Sequence, residues 1–156
     1  MGKFFGDLFG DLTLYVRQIA WWNATPKKRD KVGKTEKETV LPTRAKQAQD
    51  KDGELYYPPI PREVAYLLGH LESLGYSEVG MGGPVPLSWQ EIAAWSQLQG
   101  VELRPWEATV LRSMSEQFVR ELSEAESHLR PPPWSPEPEQ IDQRELAQRI
   151  KDVLRG

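Results

Sequence analysis

Gly80-Met81-Gly82-Gly83-Pro84-Val85-Pro86-Leu87-Ser88-Trp89-Gln90-Glu91-Ile92-Ala93-Ala94-Trp95 sets the reading of the fold. A glycine-proline hinge runs straight into the start of a helix. Ser88 and Glu91 have the Ser-x-x-Glu spacing of a capping box, in which each side chain satisfies a free backbone donor at the helix start. The glycines do not read as a phosphate cradle. That geometry needs a preceding strand and free helix amides facing the loop, whereas Pro84 and Pro86 remove donors and hold the glycines away from the helix.

Working outward, helix 89–98 carries Ile92, Trp95 and Leu98 on one side and ends at Gly100. Pro105 suits the first turn of a second helix, over 105–129. Its face reads Val110, Leu111, Met114, Phe118, Leu122, Ala125 and Leu129, which is helical spacing throughout. Such a stripe is core or docking face, and Glu116, Glu121, Glu124 and Glu126 read as its wet side. Upstream, Tyr56-Tyr57-Pro58-Pro59-Ile60-Pro61 favours extended backbone before a helix at 62–74, with Gly75 as its terminator.

The termini read differently. Residues 4–22 place Phe5, Leu8, Phe9, Leu12, Tyr15, Val16, Ile19 and Trp22 at three- and four-residue steps, an amphipathic helix that either packs on its own domain or docks on a partner. Residues 23–54 are polar and lysine-rich, with too little apolar area to offset chain entropy, and read as a linker. Pro131-Pro132-Pro133-Trp134-Ser135-Pro136-Glu137-Pro138 is a stiff spacer. A last helix spans 143–155, capped by Asp142 and Glu145, with Leu146, Ile150, Val153 and Leu154 on its apolar face.

The expected fold is therefore all-α: a core of about three helices with flanking helices on polar and proline-rich linkers. The expected divisions are 1–24 (amphipathic helix), 25–55 (basic linker), 56–130 (helical core) and 131–156 (spacer and last helix).

Composition limits the function classes. Of 156 residues, 38% are hydrophobic and 28% charged, with six Trp but no Cys, so disulfides and thiolate metal sites are excluded. His70 and His128 stand in no metal-ligand pattern. No catalytic, cofactor-binding or metal-ligating set emerges, and no apolar run is long enough for a membrane span. Charge is polarised: residues 27–52 carry nine basic and five acidic side chains, and residues 53–130 carry five and eleven. An acidic core repels a phosphate backbone, so no nucleic-acid partner is expected. The helix–turn–helix outline of 89–98 and 105–129 is a weaker reading for the same reason, with Glu107 where a base-reading residue would stand.

From Pro58 onward the order of residues resembles a known family. Prolines precede a Leu- and Tyr-bearing helix. Gly80-Met81-Gly82-Gly83-Pro84 and Leu87-Ser88-Trp89-Gln90-Glu91-Ile92-Ala93-Ala94-Trp95 follow, then Gly100-Val101-Glu102-Leu103-Arg104-Pro105-Trp106-Glu107 and an amphipathic helix. Over roughly residues 57–120 this resembles small tail-assembly chaperones of phages and prophages, encoded near the tail tape-measure gene. One departure is Arg104, where a capping residue is expected. The resemblance implies non-enzymatic work in the host cytoplasm: holding tape-measure and tail-tube proteins during tail assembly, with self-association as a further possibility. A virion structural component, in the tail or at the head-tail junction, is the alternative. Trp89, Trp95, Trp106, Phe5, Phe9, Trp22 and Trp134 are the candidate partner-binding residues, each divided between core and docking surface.

Overall fold

The computed structural model describes the backbone of residues 2–136 and 143–155, and the side chains of residues 6–136 and 148–155. The chain runs α1 (Gly2–Asn23), β1 (Lys27–Val32), β2 (Thr35–Val40), α2 (Arg44–Gln49), α3 (Ala65–Leu74), β3 (Glu78–Gly80), β4 (Gly83–Val85), α4 (Trp89–Gln99), α5 (Pro105–Glu124) and α6 (Gln143–Arg155). The fold is mixed α and β, which corrects the all-α expectation. Two antiparallel hairpins, β1–β2 and β3–β4, stand between the helices.

Each hairpin has a physical reason for escaping a periodicity search. In β1–β2, Lys27 pairs with Val40 and Val32 with Thr35. Apart from Lys27, which is half-buried, its residues are exposed on both faces. With no buried face there is no apolar-polar alternation to read. In β3–β4, three residues pair with three, and Gly80 opposes Gly83 across a Met81-Gly82 tip. The segment read as a hinge is thus a tight hairpin. Gly83 sits at φ +122°, and a Cβ on Gly80 would fall 2.5 Å from Val85 Cγ1. Only glycine meets both demands.

The core lies where α1, α3 and α5 meet. Leu8, Leu12, Val16 and Ala20 of α1, Leu67 and Leu71 of α3, and Leu111, Met114 and Phe118 of α5 are buried together with Val64, Leu87 and Ile92. Helices α1 and α5 lie side by side and run in the same direction: Phe9 meets Trp106, Arg17 meets Glu121, and Trp21 Nε1 donates to the Arg130 carbonyl. Leu87 N donates to Ser115 Oγ at 2.8 Å, and that hydroxyl donates to the Tyr76 carbonyl at 2.6 Å. A buried serine on α5 thereby ties down both ends of the β3–β4 segment.

Helix ends follow local chemistry. Ser88 Oγ accepts from Glu91 N at 3.1 Å, as its spacing predicts. The reciprocal bond is made by a different residue: Ser88 N donates to Glu78 Oε2 at 2.7 Å, so β3 supplies the second half of the cap. At α5, Glu107 Oε2 accepts from Arg104 N at 2.9 Å. A guanidinium has no acceptor, so this is half a capping box. Helix α5 stops at Glu124, short of the expected 129. Arg44 Nη1 donates to Ala125 O at 2.7 Å and Nη2 to Ser127 O at 2.8 Å, while Lys27 N takes Glu126 O at 2.7 Å. Those carbonyls satisfy a side chain and a strand instead of another helical turn. The expected Asp142 cap lies outside the described residues, as does the side chain of Glu145.

Candidate docking groove

Polar chemistry is concentrated in two places. Glu121 is 1% exposed and receives Arg130 through two bonds, Nε to Oε1 at 3.2 Å and Nη2 to Oε2 at 2.9 Å, with Arg17 Nε at 3.4 Å. Arg130 opens the proline-rich tail, so this ionic contact fastens the tail to the helical body. The second place is Glu107, which accepts from the Tyr66 hydroxyl at 2.7 Å. Burial pushes the Tyr66 hydroxyl up, and the bond to Glu107 adds to it, to about 12. Burial alone would raise the Glu107 carboxyl; the bonds from Tyr66 and Arg104 N outweigh it and leave it lowered. Both arrangements are structural pairs rather than an acid-base couple facing a cavity. Among the described residues, no group of His, Asp or Glu is arranged to hold a metal ion, and no helix is long and apolar enough to cross a membrane.

The candidate partner-binding residues separate by position. Trp22 is 5% exposed and its Nε1 donates to Tyr56 O at 3.0 Å. Trp95 is 9% exposed, donates to Ser73 Oγ at 2.9 Å and packs on His70. Both rings lie inside the fold. Trp134 is half-buried against Tyr56, and its backbone N donates to Gln18 Oε1 at 3.1 Å. Trp89 faces outward, half-exposed, with the Arg112 guanidinium 5.4 Å from its ring centre. The Phe5 side chain lies outside the described residues.

Phe9 and Trp106 are the pair that the structure brings together on the surface, with ring centres 6.1 Å apart. They border an open groove of about 370 Å³ between α1 and α5, with Val110 and Met114 along it and Thr13, Thr109 and Ser113 at its polar edge. Helix α1 supplies one wall because its buried stripe of Leu8, Leu12 and Val16 leaves Phe9 and Thr13 on the adjoining side. Helix α5 supplies the other, with Val110 and Ser113 one position before the buried Leu111 and Met114. The stripe on α5 was legible in the sequence, and so was the amphipathy of α1. What no local signal gave is that the two helices lie side by side, which is a tertiary fact.

Residues 44–120 match the model of a protein family described as phage tail assembly chaperone. No curated protein and no solved structure matches the chain.

Proposed function

We propose that this chain, which matches the phage tail assembly chaperone family over residues 44–120, holds a helical segment of a tape-measure or tail-tube protein in the groove between α1 and α5. The observation that carries this reading is the groove itself, bordered by Phe9 and Trp106 and floored by Val110 and Met114. A long helical client must be kept from aggregating until it is assembled, and an apolar groove edged by hydroxyls suits one face of an amphipathic helix. Large rigid rings contribute contact area at low cost in side-chain entropy, so Phe9 and Trp106 are the anchors. One wall, α1, lies outside the matched residues, so the groove needs both parts of the chain. The work is binding rather than catalysis and takes place in the host cytoplasm, without a nucleic-acid partner.

Co-expression with the tape-measure and tail-tube proteins of the same phage, followed by pull-down, tests the proposal. Retention of either client, lost on Trp106→Ala or Phe9→Ala in a protein that still melts cooperatively, is the expected result. A client that stays insoluble and is not retained by the full chain sinks it. The exposed β1–β2 hairpin and the exposed apolar residues of α6 favour a second reading, a structural part of the tail. Mass spectrometry of purified particles separates the two: a chaperone is absent from the mature particle, whereas a structural part is present at fixed stoichiometry.

A further inference from the structure

On the other side of the buried stripe of α1, Tyr15 and Ile19 face α3 across an open cleft of about 410 Å³. Tyr57 and Tyr76 complete its walls, and Leu68 and Gly69 of α3 border it. The walls are fixed aromatic ridges. Tyr15 stacks on Tyr57 with ring centres 5.2 Å apart, and Tyr76 stacks on Phe118 at 5.0 Å. Tyr76 is held at φ +66°, a left-handed conformation unusual for a bulky residue, by the stack and by the Ser115 hydroxyl on its carbonyl. Strain of this kind persists only where surroundings over-determine it, and it marks a side chain whose placement matters.

We propose that this cleft binds a proline-rich extended segment of a partner protein, flanked by Lys or Arg. A polyproline helix has no internal hydrogen bonds, so its carbonyls are free to accept from tyrosine hydroxyls. Its prolines pack on aromatic rings. Burial pushes the Tyr57 and Tyr76 hydroxyls up, which disfavours their charged form.

The occupant is indicated by what the neighbouring flank of α1 already holds. Trp22 Nε1 and Gln18 Nε2 both donate to the carbonyl of Tyr56, just before Tyr57-Pro58-Pro59. Trp21 Nε1 donates to the carbonyl of Arg130, just before Pro131-Pro132-Pro133, at 2.9 Å. Twice, then, α1 captures the backbone that leads into a proline run; the capture by Gln18 and Trp22 lies on the flank that the tyrosine cleft continues past Tyr57, while Trp21 is turned away toward Arg130. Glu72 stands at the rim and no Lys or Arg lines the cleft, so a cationic flank is complementary.

The proposal concerns a different face from the client groove and does not depend on it. The test is calorimetric titration of the full chain with two synthetic peptides, Arg-Pro-Pro-Leu-Pro-Pro-Leu-Pro and the same peptide opening with Glu. Gly69→Leu is the blocking variant. A Cβ at Gly69 meets nothing within 4 Å, so a larger side chain starts into open space at the cleft, and leucine favours α3. The expected result is binding of the Arg peptide, at least about tenfold weaker binding of the Glu peptide, and loss of binding in Gly69→Leu with an unchanged or raised melting temperature. Tyr57→Ala should weaken the Arg peptide as well, and covers the case of a Gly69 variant that folds poorly. Absence of binding by the full chain, or binding that survives both substitutions, overturns the proposal. Equal affinity for the two peptides overturns its cationic requirement.

Discussion

Glu121 shows how a single side chain decides where a segment lies. It is buried in the last turn of α5, yet it holds Arg130 and Arg17, whose side chains are about one-third exposed. Glu121→Gln keeps the shape and removes the charge that both guanidinium groups face. We expect it to lower stability by about 2–3 kcal/mol, less than for a fully buried pair because the arginines reach solvent. Urea denaturation checks this, and a cost below about 0.5 kcal/mol means that the tail is held by the Arg130–Glu124 pair, Trp21 and Trp134 instead. The Tyr66–Glu107 pair gives a pH signature with two limbs. The folded state lowers the Glu107 carboxyl, so its contribution is present above the ordinary value of 4.5 and is lost as pH falls through the folded one. The folded state raises the Tyr66 hydroxyl from 10.0 to about 12, so that contribution is present below pH 10.0 and is lost as pH rises toward 12. Melting temperatures of the wild type and Tyr66→Phe should therefore differ by a constant amount between about pH 5 and 9, and converge at both extremes. A gap that stays constant to high and low pH shows that the hydrogen bond contributes nothing to folding.

At the scale of elements, β1–β2 is the outlier. A two-stranded hairpin is marginal alone, and this one is tied to the body at its base, where Lys27 N donates to Glu126 O and Lys27 Nζ to Glu126 Oε2. Replacing residues 29–38 with Asn-Gly keeps that base. Because the removed residues are all exposed, the melting temperature should move by no more than about 2–4 °C in thermal circular dichroism. A larger fall means that the hairpin body carries stability that its exposure does not show. The same exposure explains what was legible in the chain. Helices α3, α4 and α5 could be read from the prolines, glycines and apolar stripes at their ends and faces, because each buries one side. β1 and β2 bury neither, and their lysines and glutamates look like a linker. β3 and β4 are too short for alternation, and Pro84 argues locally against a strand. Its position is tolerated because β4 pairs on one side alone. The end of α5 was misplaced because Arg44, 81 residues away in sequence from Ala125, takes the carbonyl that another turn would have used.

For the molecule as a whole, the question is which apolar surface belongs to the core and which is left for partners. Tryptophan identity alone cannot sort this, since Trp22 and Trp95 are buried while Trp89 is half-exposed. On α5, helix position sorts it: Phe118, on the buried stripe, is in the core, and Trp106, one step off it, borders the groove. Helix α6 is the limiting case. Ile150, Val153 and Leu154 are 52%, 81% and 80% exposed, so its described apolar residues contribute nothing to the core. A helix of 13 residues is below the length that is stable alone in water. We expect it to be covered, by a partner or by a second copy. A chain ending at Pro136 keeps the Arg130–Glu121 contact and the Trp134 packing. It should unfold within about 2–4 °C of the full chain, because the described apolar residues that it loses are exposed. Sedimentation over a range of concentrations should show the full chain associating more than the shortened one. If the shortened chain loses cooperative unfolding, α6 is part of the core. If both chains sediment alike, a second copy is not what covers this helix.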